Sequence, residues 1–352
     1  MNRLQFLAGS LYAVAVPGRG LTATRTMTDA QLWQAAWAEL ALTTNPYCTW
    51  RDSGFPASHW SNAKALGDQI GSQCSIVVPP PVVVPPPPSS TFGSRPLSPP
   101  LRITGAHDVQ LSNKTFRGAG DPFVLELVSC VNVQLADLDF DGAVSGISMG
   151  GCSGTIDVGG LRYRNLVGPH ANLIQLDGSS MTGRIHDCKG VGGVTADIVS
   201  IYKSGGPDAA HPLILEDLQY QGNGWQDPSG SGVMLGDQGG GHIIARRIHL
   251  LNPGAVGIGI AGGVDIHVTD NVIYGAKMPG SNIGLYVNNQ SGQPSSGHEV
   301  ARNRIYWLKS DGSLNWAWNA GNCGPIIGWA GAPGTNVWND TTIDPASLVV
   351  TL

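Results

Sequence analysis

LILEDLQY (213–220), IIARRIHL (243–250), HVTDNVIY (267–274) and VARNRIY (300–306) are versions of one phrase. Each holds a few apolar residues, a polar corner of Asn, Asp or Arg, then one or two apolar residues closed by Tyr or Leu. Looser copies precede them: VQLADLDF (133–140), IDVGGLRY (156–163) and GRIHDCKG (183–190). Taking the corner as marker gives Asp137, Gly160, Asp187, Asp217, Arg247, Asn271 and Asn303, at intervals of 23, 27, 30, 30, 24 and 32 residues. A second phrase alternates with the first: GISMGG (146–151), LIQLDG (173–178), IVSIYKSG (198–205), VMLGDQGG (233–240), GIGIAGG (257–263) and GLYVNNQ (284–290). Its last apolar positions are Met149, Leu176, Ile201, Leu235, Ile260 and Val287, spaced 27, 25, 34, 25 and 27.

Two strand-like phrases in each period of 23–34 residues are the signature of a solenoid. Pairs such as Ile258/Ile260, Leu285/Val287 and Val233/Leu235 alternate with period two, so one face of each strand points inward. Inward residues at matched positions stack coil upon coil into one apolar column. Their mutual burial removes apolar surface from water at roughly 25 cal/mol per Å².

Glycine, 49 of 352 residues, is about twice its usual share, which suits a chain that turns several times per coil. Charged residues make up 13% and the net charge is −5. No basic run of five or more occurs, which argues against electrostatic capture of nucleic acid. The acidic balance also disfavours a polyanionic polysaccharide unless a cation bridges it. The six cysteines, Cys48, Cys74, Cys130, Cys152, Cys188 and Cys323, fit no metal-ligand spacing. Cys130 and Cys152 lie one coil apart, each three residues past an inward apolar position (Leu127, Met149). They are expected to stack, either as a disulfide or as a ladder of buried thiols. Cys48 and Cys74 share the N-terminal region and are a second candidate pair.

The start, MNR followed by LQFLAGSLYAVAV, has the basic end and apolar run of a secretory leader, and reads equally as a structural arm. Pro17 and Arg19 end the run well short of a membrane span. Thr28 and Gln31 form a capping box that opens a helix over 29–42, and Ser58 caps a second helix through Ile70. Two such helices bury little apolar surface alone, so residues 1–78 are expected to be a module that docks on a partner. Residues 79–100 hold ten prolines in 22 positions. Such a stretch is expected to be a polyproline II linker spanning on the order of 65 Å if fully extended. The solenoid is expected over 101–307. Residues 308–352, with Trp316, Trp318, Trp329 and Trp338 and no coil period, are expected to cap its end.

Coils of this kind, with Asn/Asp corners and aliphatic stacks, resemble the right-handed parallel β-helix of the pectate-lyase-like superfamily. The resemblance covers about 101–307. It implies an all-β solenoid fold, and a function anywhere among polysaccharide lyases, glycoside hydrolases, epimerases and the trimeric spikes of bacteriophages. A compact module, a stiff spacer and a β-helix together are similar to the layout of phage spikes and head fibres. That layout implies a homotrimer anchored to virion proteins through residues 1–78, its β-helix projecting from the virion surface toward host polysaccharide. The alternative is a secreted polysaccharide lyase or hydrolase.

On such a fold a groove is built by equivalent positions of neighbouring coils. Just past the second strand these positions offer Asp177, Lys203, Asp237 and Asn289. Asp177 and Asp237 flanking Lys203 are the candidate catalytic set: carboxylates for acid–base work and a lysine as base once its pKa falls. His211, Trp225, Asp227, Tyr286 and Asn289 are the candidate ligand-binding residues beside it. The competing reading is a solvated, mutually compensated polar stripe. The family's catalytic patterns, an Asp-Asp pair with a following His and R-x-K, or a carboxylate cluster with an arginine base, are absent. No cofactor is expected, apart from a bridging calcium ion if the protein is a lyase. His170, His186, His211, His242, His249 and His267 show no metal-ligand spacing and are expected in loops and on the surface.

Overall fold

Short apolar alternations flanked by residues that tolerate a left-handed backbone give short strands joined by sharp corners. The computed structural model describes residues 13–16, 19–22, 91–118, 123–167, 172–194, 196–222, 230–329 and 335–352. The helices expected over 29–42 and 58–70, Cys48, Cys74, His170, Trp225, Asp227 and residues 79–90 of the proline run lie outside them. The chain divides into two units, residues 1–88 and 89–352. In the first, Ala13–Val16 pairs antiparallel with Arg19–Thr22. Among the described residues no helix is long and apolar enough to cross a membrane.

The second unit is a parallel β-solenoid with three sheets. Sheet I stacks Leu101–Thr104, Leu125–Val128, Ile147–Gly150 and Ile174–Asp177, then the start of Asp197–Gly205 and of Ser231–Arg246, then Val256–Ile260, Ile283–Val287 and Ala317–Asn319. Sheet II runs from the first half of His107–Arg117 through Ser153–Gly159, Ser180–His186 and Leu213–Glu216 to Val264–Thr269 and Glu299–Ala301. Sheet III runs from Leu97–Ser98 through Arg162–Val167, Lys189–Val194 and Gln219–Gln221 to Arg304–Trp307 and Val337–Trp338.

Register fixes the core. In sheet I, Leu127, Met149, Leu176, Ile201, Leu235, Ile260 and Val287 are successive partners, and all are fully buried. These are the positions marked by the second sequence phrase. Sheet II contributes Leu135, Val158, Ile185, Leu215, Ala245, Val268 and Val300 in the same way. Sheet III contributes Phe116, Phe140, Tyr163, Gly190, Tyr220, Leu250, Ile273 and Ile305. Phe116 and Phe140 stack at 5.5 Å, and Tyr163 and Tyr220 lie 5.9 Å apart across Gly190.

Each passage from sheet II to sheet III turns on one left-handed residue: Asp137, Gly160, Asp187, Asp217, Arg247, Asp270 or Arg302, with φ of 52–66°. The last two correct the sequence reading, which placed the corner one residue later, at Asn271 and Asn303. Those asparagines instead point inward, fully buried, and hydrogen-bond rung to rung: Asn271 Nδ2 donates to Asn303 Oδ1 (2.8 Å) and Asn303 Nδ2 to Asn336 Oδ1 (2.8 Å). Arginine in this backbone region is disfavoured by about 1–2 kcal/mol. Arg247 Nε is held by Asp217 (2.8 Å) and Arg302 Nε by Asp270 (2.9 Å), so the corner column alternates acid and base. The Arg247 bond holds the Asp217 carboxyl below its ordinary pKa, and the Arg302 bond does the same for Asp270.

Between sheets I and II the buried column is Cys130, Cys152, Ser179 and Ser204. Cys152 N–H donates to Ser179 Oγ (2.9 Å) and Ser179 N–H to Ser204 Oγ (2.9 Å). Cys130 and Cys152 are free thiols, as are Cys188 and Cys323, so of the two expected outcomes the ladder of buried thiols is the one found.

Both ends of the unit are bound to the outside of sheet III. Fully buried Asp139 binds Arg95 and Arg162 (Nε–Oδ1 2.8 Å), and Phe92 lies under the Arg162 and Arg164 guanidinium groups at 5.5 and 4.9 Å. Residues 92–98 are therefore part of the solenoid unit, which begins ahead of 101. In the tail, Trp316, Ile326, Trp329 and Trp338 pack against the main core. Ala317–Asn319 and Val337–Trp338 extend sheets I and III beyond Trp307. Ile327 bridges Glu299 of sheet II, and residues 340–350 run back down sheet III: Asp340 binds Arg304 (2.7 Å), Ile343 and Leu348 pack on Leu251 beside Tyr274 and Tyr306, and Val350 N–H reaches Gln221 Oε1 (3.0 Å).

A Cβ at Gly190 would lie 1.6 Å from Tyr163 Cε1, because the Tyr163 ring fills that rung. Gly190→Ala is expected to destabilise the solenoid by about 3 kcal/mol in denaturant unfolding, as an overpacked core site. Gly150→Ala, where nothing lies within 4 Å, should stay within about 0.5 kcal/mol of the parent. Equal effects at the two sites would contradict the assigned register.

Candidate functional site: the outer surface of sheet I

Outward residues of sheet I fall into three rows. The central row reads Arg102, Glu126, Ser148, Gln175, Ser200, Met234, Gly259, Tyr286, Trp318. On one side of it lie Asp197, Ser231, Val256 and Ile283. On the other side Asp177 pairs in register with Tyr202, and Tyr202 with Asp237.

The row proposed from sequence is thus only partly assembled as expected. Asp177 and Asp237 are brought two rungs apart onto the same edge, and the residue in register between them is Tyr202. Lys203 follows it in the left-handed region, φ 50°, with Nζ over the Tyr202 ring at 4.9 Å. The displacement has a cause: the long strand Ser231–Arg246 carries extra residues against Asp197–Gly205, with register shifts on both sides of Tyr202. Asn289 sits beyond sheet I, where its Oδ1 accepts from Gly292 N–H (3.1 Å) and its Nδ2 donates to the Gln293 carbonyl (2.7 Å). It shapes a loop. His211 lies at an exposed turn between sheets I and II, bonded to Asp208 (2.9 Å). Trp225 and Asp227 are outside the described residues. Tyr286, in contrast, lies at the centre of the site.

Tyr286 folds across Gly259, where an added Cβ would meet its ring at 2.7–2.9 Å. Its hydroxyl donates to Met234 Sδ (3.2 Å) and accepts from Gln290 Nε2 (3.0 Å). With Ala255, Val256, Ile283 and Met234 it makes a small apolar cluster outside the main core. The same side chains open onto a concavity of about 350 Å³ lined by Val256, Ile283, Tyr286, Trp318 and the amides Asn282, Gln290 and Asn315. Trp318, Tyr286's neighbour on the next rung, is 50% exposed.

The charges on this surface are also distinctive. Among the described residues, Asp177, Asp197 and Asp237 take part in no ion pair. Asp108 and Asp344 share that state, but Asp108 accepts from Asn132 and Asp344 caps the turn Pro345–Leu348. Sheet II offers the opposite picture. Glu216 is gripped by Arg246 and Arg247 (2.7 Å each), His186 bridges Asp157 and Asp187, and His267 bridges Asp265 and Glu299. His186, His242, His249 and His267 all lie on strands, not in loops as expected. The concavity of about 230 Å³ on sheet II is lined by polar groups already bonded to one another, such as Asn132 to Asp108 and Thr155. Among the described residues no three His, Cys, Asp or Glu side chains converge as a metal-binding group.

Asp197 is the functional candidate that the sequence reading missed. Burial, with the nearby Asp237 charge adding, pushes its carboxyl up to about 7. Burial, with Asp197 and Asp237, also raises the Tyr286 hydroxyl. Asp197 has the same parity as the inward Val199 and Ile201, so strand alternation would not have placed it in the groove.

A carboxyl whose folded-state pKa lies above its unfolded value favours the folded state at low pH. Asp197 should therefore contribute stability that is fully present below about pH 4 and is lost as pH rises through about 7. Denaturant midpoints measured from pH 4 to 8 are expected to fall less steeply in Asp197→Asn than in the parent. Parallel profiles would show that this carboxyl ionises normally. Comparisons with protein-family models, with curated proteins and with solved structures found no match to this chain.

Proposed function

We propose that the protein is a projecting structural solenoid of the spike or fibre kind, anchored to a virion through residues 1–78, that binds an extended glycan along sheet I. The observation that carries the binding part is the contrast between surfaces. On sheet I Arg102 pairs with Glu126 at one end (3.0 Å), but Asp177, Asp197 and Asp237 make no ion pair among the described residues and share the surface with outward serines, amides and an aromatic concavity, whereas the charged groups of sheets II and III are largely paired with each other. Side chains repeated at the ~4.8 Å strand spacing form a long, shallow, regularly divided track, suited to a polymer lying along the solenoid axis. The anchoring part is supported by layout. The boundary between the two units falls at Pro88, inside the proline-rich run. Trimeric assembly belongs to the same reading and rests on that layout alone.

A second reading is favoured by one observation. A carboxyl that holds its proton to about pH 7, on the same sheet as a second aspartate, Asp237, has the pair of acids that glycoside hydrolysis uses. On that reading Asp197 protonates the leaving oxygen and Asp237 acts as base. The enzyme then releases new reducing ends, and Asp197→Asn abolishes their release.

The binding reading is tested by placing a bulky charge on each surface of the full chain. Ser200→Arg and Met234→Arg on sheet I are expected to abolish capture of host surface polysaccharide, and Ile214→Arg on sheet II to leave it intact. Light scattering should give about three times the 36.7 kDa chain mass. Capture that survives both sheet I variants, or is lost equally in all three, would remove sheet I from the account.

A further inference from the structure

We infer that the concavity at the C-terminal end of sheet I is a seat for an uncharged pyranose ring and discriminates against uronic acids; this rests on the glycan-binding reading above. The inference follows from what lines the concavity and from what is missing there. Its walls are apolar at Ile283 and aromatic at Tyr286 and Trp318, with amides at Asn282, Gln290 and Asn315. No Lys, Arg or His is among its lining residues.

An exposed indole presents a flat, electron-rich face that attracts the C–H face of a sugar ring. Trp318 is half-exposed, and its neighbour Tyr286 is clamped from two sides by Met234 and Gln290, so the platform is rigid before any ligand arrives. Amide side chains both donate and accept, which matches the alternating demands of sugar hydroxyls. At about 350 Å³ the space lies at the lower end of the range for small-ligand sites, enough for one or two rings.

A carboxylate placed here would meet no cation. Asp197 and Asp237 lie close enough to raise the Tyr286 hydroxyl, so the local field opposes a second anion. Lys203 Nζ is held over the Tyr202 ring (4.9 Å) on the edge that also carries Asp237, and neither Lys203 nor Arg102 lines the concavity. Desolvating an unpaired carboxylate in such a pocket is costly, whereas an uncharged ring loses only hydroxyl hydration that the amides replace.

The test uses the full chain and isothermal titration with a panel of neutral hexasaccharides (gluco-, manno-, xylo- and galacto-configured, in both α and β linkage) against an oligogalacturonate of equal length. At least one neutral member is expected to bind about tenfold or more tightly than the oligogalacturonate, and Trp318→Ala to lose about tenfold in affinity. Trp318→Phe should recover most of that loss, and unchanged circular dichroism would show that neither variant misfolds. Preference for the oligogalacturonate, silence from the whole neutral panel, or Trp318→Ala binding like the parent would each overturn the inference. The broader reading would still stand if surface polysaccharide were captured and Ser200→Arg abolished that capture. It would fall with the inference only if no polysaccharide bound at all.

Discussion

In this solenoid every backbone hydrogen bond between rungs forces the side chain above to sit over the side chain below. That constraint decides which residue types each column accepts. Sheet I tolerates only aliphatic residues and Met from Leu127 to Val287 because each must fill the same slot above its predecessor. Where a ring is too large for its own rung, the next rung yields: Gly190 leaves room for Tyr163, Gly275 for Trp307 and Gly259 for Tyr286. Buried asparagines and serines bond along the column, as Asn271, Asn303 and Asn336 do, or Ser179 and Ser204. Corner residues obey the same rule with charge, acid under base from Asp217 to Arg302.

The same rule explains how much could be read from the chain. The apolar column of sheet I is correct position by position in the sequence, because one residue type recurs at one place in each turn. The corner is off by one at Asn271 and Asn303. Asparagine suits both a left-handed corner and a buried ladder, and composition does not distinguish them, whereas the neighbouring Asp270 and Arg302 take the strained backbone. The proposed Asp177, Lys203, Asp237 row fails at its middle member for a different reason. Spacing counts residues and cannot see the register shifts around Tyr202, which put that residue in line and leave Lys203 at the bend. The tail makes one more turn through Ala317, Ile327 and Trp338 and then runs back across Tyr306 and Tyr274 to Gln221, a path no local pattern encodes. Asp197 escaped notice because its environment depends on rungs that are distant in sequence.

The surfaces of the solenoid differ in how far their charged groups are paired. On sheets II and III, outward side chains are largely occupied by partners one rung away, and both ends of the solenoid unit, at Phe92 and Arg95 and at Ile343 to Val350, lie over sheet III. Sheet I alone combines unpaired carboxylates, outward serines and amides, and an aromatic concavity.

The claim beneath all of this is that residues about two dozen positions apart stand one rung apart on a straight stack. Pulsed electron paramagnetic resonance measures it most directly, with spin labels on cysteines replacing Glu126 and, in turn, Met234 or Trp318, in a chain whose Cys48 and Cys74 are serine. Those sites are four and seven rungs from Glu126 by register. The account predicts separations near 19 and 34 Å, growing by about 4.8 Å per rung. Separations that do not scale with rung number would contradict it.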